Sequence, residues 1–138
     1  AKRMAPDGQS ATLIAFSADE FPAIPRLRVV TKAQGRDAQV RFGIGDEQPV
    51  YGERQYRHQS PHFLVVELAD DVLRLWIDPS SETFSARQPP EPDAVIARPD
   101  SFRPQWIWIG DADNNGYAWF RIDEIRGGNT WAEVTPTQ

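Results

Sequence analysis

"RLRVVTKAQGRDAQVRFGI", residues 26 to 44, alternates apolar and polar side chains on both sides of a Gly-Arg-Asp stretch. Successive side chains of a strand point to opposite faces. Leu27, Val29 and Thr31 therefore share one face, with Arg28, Val30 and Lys32 on the other. Val40, Phe42 and Ile44 repeat the inward pattern, and "GRD" at 35 to 37 supplies the turn. The stretch is expected to be a β-hairpin with one face in a core. A helix would need apolar residues at i, i+3, i+4 and i+7, and no segment provides that convincingly.

Similar signals recur on either side. "ATLIAFSA" (11 to 18), "HFLVVELAD" (62 to 70), "VLRLWIDP" (72 to 79), "AVIAR" (94 to 98), "QWIWIGD" (105 to 111) and "GYAWFRIDEIR" (116 to 126) all read as strands. The last is the longest candidate. Residues 45 to 62 read as a loop with one edge strand at "VYG". Residues 79 to 93 hold four prolines (Pro79, Pro89, Pro90, Pro92) and are expected to form a long loop across one end of the fold. Twelve prolines and nine glycines spread along the chain suit short elements and tight turns. The expected class is all-β, an antiparallel β-sandwich or jelly roll. Its 138 residues form a single domain, 1 to 10 being a flexible lead-in.

Composition excludes several functions. With no cysteine there is no disulfide frame, thiolate metal site or cysteine nucleophile. The net charge of −5 argues against a nucleic-acid partner, which needs a basic face to displace counterions. The most basic stretch, "GERQYRHQSPH" at 52 to 62, reads as a solvated loop. No apolar run approaches the ~20 residues of a membrane-spanning helix. The chain opens AKRMAPDG, so a secretory leader is expected to be absent or already removed.

Residues 110 to 136, "GDADNNGYAWFRIDEIRGGNTWAEVTP", begin like a calcium loop. Asp111, Asp113, Asn115 and the carbonyl of Tyr117 would offer hard oxygens, and Gly116 the sharp turn. Position twelve of such a loop is Ile122 rather than a carboxylate, which excludes an EF-hand. A polar β-turn is the favoured reading and a structural Ca²⁺ the alternative, the two being compatible. His58 and His62 have metal-ligand spacing only on a helix, which Pro61 opposes, so both are expected at the surface.

"RIDEIRGGNTWAEVTP" resembles the closing strand and tail of bacterial LamG-like domains of the concanavalin A-like lectin/glucanase superfamily. Asp123, Glu124, Ile125 and Arg126 fall on the strand motif, and Trp131, Val134, Thr135 and Pro136 on the tail. "LRLWIDP" at 73 to 79 is similar to the family's L-W-V-N-P strand, which also precedes a Pro-rich loop. The resemblance covers roughly the last half of the chain, in two places. It implies a secreted or surface-attached jelly roll, and it adds Asp123 to the calcium candidates. A hydrogen-bonded pair of Asp123 and Arg126 closing the sheet is the preferred structural role. Relatives carry more strands upstream of "ATLIAFSA", so the resemblance implies either a sandwich whose opening strands come from another chain or segment, or a shortened but complete one.

The superfamily's glucanases carry E-x-D-x-x-E on a strand, which aims three carboxylates into one cleft. Here Arg121 and Arg126 replace both glutamates around Asp123, so an enzyme is not expected. A non-catalytic binding or adhesion module is the main expectation, with a glycan as ligand and Trp106, Trp108, Tyr117 and Trp119 as a stacking platform. The same rings could instead fill the core. The alternative is an assembly subunit, homo- or hetero-oligomeric, whose partner is another polypeptide.

Overall fold

The structure is a computed structural model and describes residues 10–17, 27–34, 39–45, 48–57, 60–98, 103–109 and 121–136. It contains two antiparallel sheets. The first is built from β1 (Ser10–Ser17), β2 (Leu27–Gln34), β3 (Gln39–Gly45), β4 (Val50–Tyr51), β5 (Tyr56–Arg57) and β9 (Trp106–Ile109). Its order is β4-β3-β2-β1-β9, with β5 also pairing β3. The second is β6 (Leu64–Leu68), β7 (Val72–Ile77) and β8 (Ala94–Ala97), in sequence order.

The opening stretch folds as its alternation requires. β2 and β3 pair from Arg28 opposite Gly45 to Gln34 opposite Gln39. Leu27, Val29, Val40, Phe42 and Ile44 all enter the core. The turn at 35 to 37 lies outside the described residues. β1 joins β2 through a bulge at Leu13, with Thr12 opposite Val30 and Ile14 opposite Val29. The extra residue keeps Ile14 and Phe16 on the inner face, where both pack against the core.

The smaller sheet supplies the opposing layer through Leu73, Leu75 and Ile77 of β7 and Ala94 of β8. Backbone approach between the sheets is concentrated where β7 and β8 cross β3 and where β8 meets β4. Apolar burial, at ~25 cal/mol per Å², is the main stabilising term in such a core.

The chain's end covers the outer side of the smaller sheet. A one-turn helix, α1 (Trp131–Val134), is held by a reciprocal capping box: Thr130 Oγ1 accepts from the Glu133 N–H, and the Glu133 carboxylate accepts from the Thr130 N–H. It places Trp131 against Trp76, ring centroids 5.1 Å apart, beside Val65 and Phe63. The Pro-rich loop is tied into the same place. Trp76 Nε1 donates to the Pro90 carbonyl, Trp131 Nε1 to Thr83 and the Thr135 hydroxyl to Phe84. The loop thus lies on the outside of β7, and 81 to 83 form a single 3₁₀ turn.

Three expectations need correction. Residues 121 to 126, the described part of the longest expected strand, are in no strand and are exposed throughout. Alternation there is partial: Ile122 and Ile125 are three apart and would fall on opposite faces of a strand. The tail contains a one-turn helix, although no segment was expected to be helical. Residues 45 to 62 also hold a second short strand, β5.

Candidate functional site

The most unusual surface lies on β9. Ile107 pairs opposite Phe16 and Ile109 opposite Ile14, so both stand on the face that elsewhere forms the core. Yet Ile107 is 60% and Ile109 42% exposed. Among the described strands, the opposing sheet crosses β3 and β4, and none of it approaches β9 closely. Leu13 and Ile14 on β1 are correspondingly only half-buried. Trp106, on the opposite face of β9 beside Ser17, is 44% exposed. A run of large apolar side chains open to water on both faces of one strand marks an interaction surface more often than a stable free surface.

Of the expected stacking platform, Trp106 is thus exposed. The side chain of Trp108, and Tyr117 and Trp119 altogether, lie outside the described residues. So do Asp111, Asp113 and Asn115 of the calcium loop. Asp123 is described, exposed, and in no hydrogen bond or ion pair with any described residue. The expected Asp123–Arg126 pair is not formed. Arg126 binds the Glu124 carboxylate at 2.7 Å and donates to the Thr135 carbonyl at 3.1 Å. Without a sheet at 121 to 126, no strand holds positions 123 and 126 in a fixed relation. Among the described residues no group of three or more His, Cys, Asp or Glu side chains could hold a metal.

The stretch read as a solvated basic loop takes part in a connected polar cluster. Arg54 donates twice to Asp93 Oδ1, at 2.8 and 3.2 Å, and once to the Ile77 carbonyl. Asp93 Oδ2 accepts from the Ile77 N–H at 2.8 Å. These bonds clamp the end of β7 to the start of β8 and to the loop after β4. The Asp93 hydrogen bond raises the Arg54 pKa above its ordinary value, ahead of the opposing effect of burial. Burial, chiefly, raises that of Tyr56, whose hydroxyl approaches the Ile77 carbonyl.

His62, expected at the surface, is half-buried and engaged at both ring nitrogens. Its Nδ1 lies 2.8 Å from Asp78 Oδ2 and its Nε2 3.0 Å from the Arg57 carbonyl. The ring also packs edge-on against Phe42 and Tyr56. Both nitrogens face acceptors, so neither presents a lone pair to a metal or substrate in this arrangement. Asp78, at φ 48°, adopts the left-handed conformation, and its other oxygen accepts from the Phe63 N–H. The cluster is a clasp between the loop after β4 and the smaller sheet. Sequence reading missed it because its partners lie up to 39 residues apart. His58 lies outside the described residues.

A shallow groove of about 280 Å³ runs between Glu67, Arg74 and Trp76 on the strands and Gln88, Pro89 and Pro92 on the loop. Its volume is just below the range usual for small-molecule sites, ~300–1,000 Å³. An Arg74–Glu67 ion pair spans its floor and Trp76 is buried, so no aromatic face is open within it. No family model, curated protein or solved structure matches the chain.

Proposed function

We propose that this chain is a non-catalytic binding module, a LamG-like sandwich of the concanavalin A-like type acting in a secreted or surface-attached setting, whose partner is another polypeptide. One observation carries the reading: Ile107 and Ile109 stand exposed on the core-facing side of β9. In a closed sandwich that side meets an opposing strand. A strand or hairpin from a partner, with apolar side chains turned toward Ile107, Ile109 and Ile14, would extend the smaller sheet over them. Exposed apolar area of this kind is removed from water on association, and the packed centre of such a contact supplies most of its affinity.

The test is selection of displayed random peptides on the intact chain, with Ile107→Asp as the counter-target. The reading expects enriched peptides of alternating apolar pattern that lose binding to Ile107→Asp. An absence of any peptide that distinguishes the two proteins contradicts it. A second reading, saccharide binding, is favoured by the exposed Trp106. Glycan-array binding lost in Trp106→Ala but kept in Ile107→Asp supports that reading instead.

A further inference from the structure

The outer face of the β2–β3 hairpin carries a feature independent of the docking reading. Lys32 and Arg41 stand directly opposite each other across the two strands, and both are half-buried. Like charges placed directly across a ladder repel. Neither side chain is neutralised by an ion pair or hydrogen bond among the described residues. Arg41 Nε is moreover shut off from water and has no acceptor. Buried polar N–H groups are almost always bonded, so one that is not calls for a partner.

The surroundings give that partner a shape. Lys32 Nζ lies 5.5 Å from the centroid of the Tyr51 ring. Tyr51 pairs opposite Gly43, and a Cβ at position 43 would stand only 2.8 Å from Tyr51 Cδ1. The glycine thus lets the ring lie close against the sheet, beside Lys32. Among the described residues, no carboxylate pairs with either cation. We propose that Lys32 and Arg41 form a site for a single oxyanion group, carboxylate or sulfate, with the Tyr51 ring as its side wall. A guanidinium matches the paired oxygens of such a group, and the ammonium supplies a second charge. A long polyanion is not the ligand, since the net charge of −5 opposes it.

The experiment follows the Arg41 Nε–Hε resonance of the full chain by NMR. Sodium sulfate and sodium glucuronate are titrated separately, against sodium chloride at matched ionic strength. A saturable shift with sulfate or glucuronate, absent with chloride, is expected, and the tighter of the two identifies a tetrahedral or a planar oxyanion. Removing one charged donor should weaken binding roughly tenfold or more. Arg41→Gln tests this directly. Lys32→Gln repeats it with a milder change, followed on the same Arg41 resonance. No saturable shift, an equal response to chloride, or undiminished affinity in Lys32→Gln overturns the proposal.

Discussion

β7 and β9 carry the same kind of sequence and meet different fates. "VLRLWI" turns Leu73, Leu75 and Ile77 inward, and all three are essentially inaccessible to water. "WIWI" turns Ile107 and Ile109 toward the corresponding side, and both remain open. Local alternation decides that each is a strand. Only the reach of the opposing layer decides which becomes core. Among the described residues the first sheet has six strands and the one laid on it three, and β9 lies at the edge beyond that overlap. An apolar row without cover is what a binding partner would use.

The largest consequence of the contrast is in stability. Leu75→Ala should cost about 2–5 kcal/mol, the usual range for a fully buried leucine. Ile109→Ala should stay within about 0.5–1 kcal/mol, as for other partly exposed side chains. Urea unfolding of the two variants checks the pair, and equal losses would break the contrast.

A smaller effect is expected at the clasp that fastens β7 to its neighbours. Asp93→Asn removes the charge that holds Arg54 and weakens the acceptor facing the Ile77 N–H. The cost should be about 1–3 kcal/mol, read from the same unfolding curves. A loss near zero would mean that packing alone seats the end of β7.

The smallest effect appears only in alkali. Burial raises the folded-state pKa of Tyr56, so the unfolded chain releases this proton first. The stability is complete below the unfolded value, about 10, and falls as pH rises through the folded one. Tyr56→Phe should flatten that alkaline decline. An unchanged slope above pH 10, in melting curves of the two proteins, would remove Tyr56 from the account.

How legible this was in the sequence follows the same divide. The β2–β3 hairpin could be read residue by residue, because a period of two with β-branched residues is a local signal. β1, β6, β7, β8 and β9 were legible as short β-branched or aromatic runs bounded by turn residues, and β4 only as an edge strand within a loop. At 121 to 126, the described part of the long run, apolar content was taken for alternation, although Ile122 and Ile125 do not share a strand face. The helix at the end was signalled by Thr130-Trp-Ala-Glu133, a capping-box spacing overshadowed by the strand-like residues before it. The clasp of Arg54, Asp93, His62 and Asp78 was hidden because its members meet only once both sheets are assembled. The exposure of Ile107 was equally hidden, since one strand's pattern does not report the width of the sheet that must cover it.

Thermal unfolding of Ile107→Asp tests most directly whether the inner side of β9 is open to water. With Ile107 exposed, a carboxylate there meets water, and the melting temperature should move by no more than about 2–4 °C. A fall of roughly 10 °C or more would place an unpaired charge in an apolar interior, contradicting an open face on β9.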